Sequence, residues 1–224
     1  MKILAVDTST KFLSLGLYDN GKVCAYNLEV ANKLSGLLAP TIGRVLGAAG
    51  LSAGDIDYFA CGLGPGSFTG LRVGIATIKG LSWALGKPVI GIPTLDILAK
   101  NAKDNNGDLA VMVDAKRNLI YGSIYRVGKK GPERRTPYLL LTPGEFLKKV
   151  KLRSLILGDG TGLYRQEILM QAKNLTILDK ERWYPRAHNI IELALAKIKA
   201  KQITDSFTVK PIYLYPKECQ IRKQ

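Results

Sequence analysis

Asp7-Thr8-Ser9-Thr10 sets an acid and three hydroxyls in a row at the end of an apolar stretch, Lys2 to Asp7. Such a run can hold Mg²⁺-phosphate, the carboxylate facing the cation while hydroxyls and turn N–H groups meet phosphate oxygens. The same residues can instead close an Asx or ST turn on their own backbone. A second stretch, Gly62-Leu-Gly-Pro-Gly-Ser-Phe-Thr-Gly-Leu-Arg-Val-Gly74, carries five glycines in thirteen positions. Within it Gly64, Gly66, Ser67, Thr69 and Gly70 form a loop that turns strand into helix, with Ser67 placed to cap the helix. Free N–H groups at such a helix start attract an anion; a tight turn without ligand accounts for the same glycines. The lysine that a P-loop requires after its last glycine is missing. A nucleotide held by two acidic hairpins would find its second acid in Asp114, after Leu109–Val113, but Lys116 and Arg117 follow there and no hydroxyl does. Asp7, Thr8, Ser9, Thr10 and Asp114 are thus the candidate nucleotide-binding residues, and none is assigned as catalytic.

The elements that carry these residues follow from periodicity. Lys2 to Asp7 is a short apolar strand, Leu13 to Tyr18 alternates, Asp19-Asn-Gly21 is a hairpin turn, and Val23 to Val30 returns as a third strand. From Lys33 to Ala49 the apolar repeat becomes helical. Asp57 to Gly62 supplies a fourth strand, the helix capped by Ser67 runs to Leu85, Val89 to Ile92 is a fifth strand, and Asp96 to Ala102 is helical. This βββαβαβα order is that of an actin-like, ribonuclease H-like half-domain. Beyond it, Leu109–Val113 pairs with Leu119–Val127, Tyr138–Leu141 is a third strand, Pro143 opens a helix, and Ser154–Leu157 ends in a turn at Gly158-Asp-Gly160. Helices are expected over Leu163–Ala172 and Ala187–Lys201. The organisation read from this is an N-terminal half-domain over 1–104, a shortened second half over 105–210, and a tail over 211–224 that has little to bury and orders against a partner.

Two helices carry more small residues than folding alone favours. Gly36, Ala39, Gly43 and Gly47 recur at helical spacing on the first, opposite its leucines. On the second, Leu71, Ile75 and Ile78 fill one face, and Val73, Ala76, Gly80, Trp83 and Ala84 leave the other largely apolar. Each glycine inside a helix costs about 0.5–1 kcal/mol relative to alanine, and close helix packing offsets such a cost. Gly36, Ala39, Gly43, Gly47, Leu71, Gly74 and Ile78 are therefore read as a partner interface, with tight helix-on-sheet packing inside the chain as the alternative.

Composition narrows the function classes. Of the net charge of +15, residues 1–100 contribute 9 Lys/Arg against 6 Asp/Glu and residues 101–224 contribute 24 against 12. Clusters at Lys129-Lys130, Arg134-Arg135, Lys148 to Arg153 and Lys197 to Lys201 can attract a polyanion or serve as solvated faces. One histidine, His188, and three dispersed cysteines, Cys24, Cys61 and Cys219, supply neither a metal site, a disulfide framework nor a Ser-His-Asp set. No apolar run reaches membrane-span length and Asp7 interrupts the opening apolar residues, so a cytoplasmic protein is expected.

The segment Gly64 to Gly74 resembles the marker segment of the TsaB (YeaZ) family, needed for the threonylcarbamoyl modification of adenosine 37 in tRNA. Ile3-Leu-Ala-Val-Asp-Thr-Ser-Thr10, Gly91-Ile-Pro-Thr-Leu-Asp96, Val113-Asp-Ala-Lys-Arg-Asn-Leu-Ile-Tyr121 and Pro211-Ile-Tyr-Leu-Tyr-Pro216 resemble further stretches of that family, in the same order. The resemblance implies an actin-like fold and a non-catalytic subunit that pairs with TsaD, with TsaE as a further partner. It also implies a homodimer when the chain is alone, tRNA met through the complex, and ATP or ADP as a ligand of that complex. It implies no metal: TsaD places one through paired histidines on its first helix, where this chain has Asn32 to Gly36. The His-Ser-Glu run that often begins this helix in the family is also replaced, by Leu34-Ser35-Gly36. A stand-alone kinase or hydrolase of the actin-like class is the competing reading.

Overall fold

In the computed structural model, which describes residues 1–30, 33–171 and 174–216, strand β1 (Lys2–Asp7) is buried on both faces from Ile3 onward. That is the environment of a central strand covered by helices on either side. β2 (Phe12–Asp19) pairs with it antiparallel, Asp7 opposite Ser14. Asn20 (φ 45°) and Gly21 (φ 97°) then take the two left-handed conformations that a tight hairpin needs, leading into the exposed edge strand β3 (Lys22–Glu29). Helix α1 (Leu34–Ala48) follows, then β4 (Tyr58–Gly62), α2 (Phe68–Leu85), β5 (Val89–Ile92) and the short α3 (Thr94–Ala99). β4 and β5 join β1 in parallel, giving the order β3-β2-β1-β4-β5. Leu4, Val6 and Phe59 on one face of this sheet share a core with Leu38 and Ile42 of α1 and Leu71 and Ile78 of α2.

The second sheet repeats that topology. β6 (Gly107–Lys116) pairs antiparallel with β7 (Leu119–Gly128), and β7 with β8 (Gly131–Arg134) and β9 (Leu139–Leu141). α4 (Pro143–Leu147) opens on a capping box between Thr142 and Glu145. β10 (Leu155–Leu157), α5 (Asp159–Leu163), α6 (Arg165–Gln171) and β11 (Thr176–Ile177) complete the unit. β10 is parallel to β6 and β11 to β10, so the path β11-β10-β6-β7-β8 is the first sheet's order again. β8, which the sequence does not announce, is an edge strand containing Pro132, and an edge is where a strand tolerates proline. Gly158-Asp-Gly160, expected as a simple turn, starts α5; a Cβ on Gly158 (φ 111°) would fall 2.2 Å from the Met112 carbonyl oxygen.

After Tyr184 the chain returns to the first sheet. Helix α7 (Ala187–Lys199), expected in the second half, lays Ile190, Ile191 and Ala194 on Ile3, Ala5, Ala60 and Ile90, the face of the sheet turned away from α1 and α2. A Cβ on Gly16 would sit 3.0 Å from Ile191 and 3.1 Å from the Ala187 carbonyl, so this strand glycine is the seat of the helix. The two compact units are accordingly Met1–Ile97 with Pro185–Pro211, and Leu98–Tyr184 with the residues from Ile212 onward, rather than consecutive halves meeting at 104. The start of the expected loose tail is docked within the second unit: Tyr215 meets Tyr121 edge-on at 6.2 Å and its hydroxyl donates to the Ala115 carbonyl at 2.9 Å. The rest of the tail, with Cys219, lies outside the described residues, as does Asn32.

Candidate functional site

The acid-hydroxyl run and the glycine loop meet. Asp7, at the end of β1, is 1% exposed. Its Oδ1 accepts from the Ser9 amide at 2.9 Å and the Ser9 hydroxyl at 2.6 Å, and its Oδ2 accepts from Thr94 Oγ1 at 2.8 Å. Thr94 Oγ1 in turn accepts from the Gly64 amide at 3.1 Å. Thr8 donates its hydroxyl to the Gly70 carbonyl at 2.8 Å, and the Ser67 amide donates to the Ser9 carbonyl at 2.7 Å. Burial pushes the Asp7 carboxyl above its ordinary value, against the lowering effect of the Ser9 and Thr94 bonds. Burial, with the Asp7 charge adding to it, lifts the neighbouring Cys61 thiol to about 12, so that sulfur stays protonated and inert.

Close approach explains the glycines here. A Cβ on Gly62 would lie 1.9 Å from Asp7 Oδ2; on Gly70, 2.1 Å from the Thr8 carbonyl oxygen; on Gly74, 2.1 Å from Thr8 Oγ1. The start of α2 is thereby pressed onto the β1 turn, and Ser67 caps it by accepting from the Gly70 amide. The arrangement is an internal clasp in which the Asp7 carboxyl and the Thr8, Ser9 and Thr94 hydroxyls are all hydrogen-bonded within the chain. Thr10 lies at its edge, partly exposed, its hydroxyl accepting from the Phe12 amide at 3.2 Å. Thr94 belongs to this set although nothing in the sequence ties it to Asp7; the signals were a hydroxyl after Pro93 where a strand passes into a helix and its place in the family-like stretch Gly91 to Asp96.

Asp114 occupies the matching end of β6 in the second unit. It accepts from the Lys116 amide at 2.8 Å and pairs with the Lys116 ammonium, while its own amide donates to Asp159 Oδ1 at 3.0 Å. Burial raises the Asp159 carboxyl, with the Asp114 charge adding to the effect. Lys116, Arg117 and Asn118 are all left-handed, at φ 65°, 53° and 56°. This hairpin thus offers cations and no hydroxyl.

The helices of the first unit show which face is open. Leu71 and Ile78 are fully buried and Gly74 is packed on Thr8, so these three, read from the sequence as partner contacts, are core residues instead. Both faces of α2 are apolar, and sequence alone does not say which turns inward. Outward stand Phe68, Ala76, Gly80 and Ala84, with Trp83 69% exposed. On α1, Gly36, Ala39, Gly43 and Gly47 are exposed, and no atom comes within 4 Å of a Cβ built on any of these glycines or on Gly80.

Among the described residues no three His, Cys, Asp or Glu side chains converge as metal ligands, and no helix is long and apolar enough to cross a membrane. His188 is exposed in the first turn of α7.

A family model described as TsaD, tRNA N6-adenosine threonylcarbamoyltransferase, matches residues 29–172. The tRNA threonylcarbamoyladenosine biosynthesis protein TsaB of Escherichia coli (strain K12) is 29% identical over 218 residues, covering 96% of this chain and 94% of its own length. The protein of the same name from Bacillus subtilis (strain 168) is 28% identical over 225 residues, 91% of this chain and 98% of its own. The solved structure of YeaZ from Pseudomonas aeruginosa overlays with a TM-score of 0.83 at 25% identity, covering 95% of this chain and 99% of that one. With two repeated sheets of the actin-like class and a match across more than half its length, the chain belongs to the TsaD tRNA N6-adenosine threonylcarbamoyltransferase family, its full-length likeness being to the TsaB (YeaZ) proteins.

Proposed function

We propose that this chain is a non-catalytic, activating scaffold subunit in tRNA threonylcarbamoyladenosine formation. It pairs with TsaD for threonylcarbamoyl transfer to adenosine 37, and TsaE joins as a further partner. The names of its relatives support the pathway. The observation that carries the scaffold role is the contrast between a closed clasp and an open helix face. Of the groups that would serve a nucleotide, the Asp7 carboxylate accepts from the Ser9 and Thr94 hydroxyls and the Thr8 hydroxyl donates to the Gly70 carbonyl, so each already has a partner within the chain. By contrast, α1 presents a stripe of glycine and alanine with free space over it, which suits the close approach of another helix. ATP or ADP belongs to the assembled complex, and the chain alone forms a homodimer through the same face.

Gly43→Leu and Ala39→Arg fill that face without touching the core, so both should abolish TsaD pairing and homodimerisation, while Lys201→Ala leaves both intact. Size-exclusion chromatography with light scattering, on each variant alone and mixed with TsaD, measures this. Intact dimers of both kinds in both groove variants would move the interface elsewhere.

A further inference from the structure

The basic clusters of the sequence are not equivalent once folded. Lys197, Lys199 and Lys201 belong to the first unit at the end of α7. Arg134 lies over the Tyr138 ring at 4.2 Å and Arg135 pairs with Glu133 at 3.0 Å. The remaining two clusters converge. In the second sheet Asp108 of β6 stands opposite Arg126 of β7, and Gly107 opposite Val127, so the β7–β8 turn, Lys129-Lys130, projects from the end of the sheet where β6 begins. β10 is parallel to β6 with Leu155 level with Leu109, which brings Lys151 and Arg153 to that same end. Asp108 fixes the placement: it binds Arg126 at 3.3 Å and Lys151 at 3.7 Å. Lys148 and Lys149 lead into the cluster from α4, and the four cations from Lys148 to Arg153, like Lys129 and Lys130, are exposed.

The acids do not balance them. Asp104 and Asp108 on the segment entering β6, and Glu133 on β8 level with Arg126, are carboxylates at this end, and Leu98–Tyr184 as a whole holds 17 Lys/Arg against 9 Asp/Glu. At the other end of the same sheet Lys116 is paired with Asp114 and lies near the Asp159 charge, so carboxylates stand beside the cations there. A one-sided field of this kind concentrates a polyanion at one end of the unit. Of the two apolar residues among these cations, Val150 packs toward the core and Leu152, 73% exposed, stands alone, too little to enter a lipid surface.

We infer that this end of the second unit, built from Lys129, Lys130, Lys148, Lys149, Lys151 and Arg153, binds the phosphate backbone of RNA. The inference deepens the proposed role and rests on it only for the choice of tRNA as the polyanion. Contacts of this type position a nucleic acid without reading its bases, which suits a subunit that holds a tRNA for chemistry performed elsewhere.

The test is fluorescence anisotropy of the isolated protein with labelled unmodified tRNA across a salt series. Lys148→Glu, Lys149→Glu and Arg153→Glu combined should weaken binding at least tenfold and flatten the slope of log K against log salt by about 2–3, since each phosphate contact contributes about 0.7–0.9. Lys199→Glu, Lys201→Glu and Lys210→Glu combined change the net charge equally on the first unit and should alter affinity less than threefold. Thermal melts of both triple variants check that each is folded. Equal losses in the two variants, an unchanged affinity in the first, or binding of the parent protein to phosphatidylserine vesicles but not to tRNA would each overturn the assignment. Pairing with TsaD is read separately by light scattering. Patch-dependent tRNA binding with no TsaD pairing sinks the scaffold reading and keeps this one; TsaD pairing without patch-dependent tRNA binding does the reverse.

Discussion

Gly62→Ala tests the clasp through a single carbon. The added Cβ would fall 1.9 Å from Asp7 Oδ2 and 2.6 Å from its Cγ. The carboxylate must therefore retreat by about 1 Å or more to reach ordinary contact. Its bonds from Ser9 N, Ser9 Oγ and Thr94 Oγ1, now 2.6–2.9 Å, cannot all survive that movement. Hydrogen bonds to a charged group contribute about 1.5–3 kcal/mol each and overpacking costs about 1–3 kcal/mol. Losing one or two bonds with partial relaxation puts the destabilisation at about 4 kcal/mol, a large part of the 5–15 kcal/mol typical of a folded protein. In an Asp7→Ala background the nearest remaining atom is the residue-7 Cβ at 3.1 Å. The same substitution should then cost about 1 kcal/mol or less. Urea unfolding of the parent, both single variants and the double variant, followed by circular dichroism, gives a coupling energy of about 3 kcal/mol if Asp7 is what Gly62 admits. Additivity within about 0.5 kcal/mol would refute the reasoning.

Asp7→Asn removes a buried charge whose folded pKa is raised. A raised carboxyl favours folding most below its unfolded value, and that contribution is lost as pH rises through the folded value. The stability of Asp7→Asn relative to the parent should therefore improve from pH 4 to pH 7; a flat difference in urea unfolding across that range would contradict the burial argument. Tyr215→Phe deletes the hydroxyl that reaches the Ala115 and Lys116 carbonyls. A loss of about 1 kcal/mol, with faster amide exchange around residues 115–119, is expected, and parental exchange there would show that the tail is not held by this bond.

Local signals carried most of the secondary structure. The Asn20-Gly21 turn, the Ser67 cap, the helix opened by Pro143, the short apolar run of β1 and the alternation in β2 depend on residues a few positions apart, and each stands in the structure where the pattern puts it. What escaped was set at long range. α7 belongs to the first sheet because Gly16, 171 positions before Ala187, leaves room for it, and nothing near either residue announces the other. The short edge strand β8 was hidden by Pro132. The glycine loop was legible as a strand-to-helix turn, but the purpose of its glycines was not, since Asp7 and Thr8 occupy the space their missing side chains leave. Leu71, Gly74 and Ile78 were misassigned to a partner because α2 is apolar on both faces and only the sheet decides between them.

Threonylcarbamoyl transfer to unmodified tRNA, reconstituted from purified TsaD, TsaE, ATP and an activated threonylcarbamoyl donor with and without this chain, bears most directly on the scaffold role. Product is expected only when the chain is present, with no ATP hydrolysis by the chain alone. Undiminished product in its absence, or robust ATP turnover by the isolated chain, would contradict it.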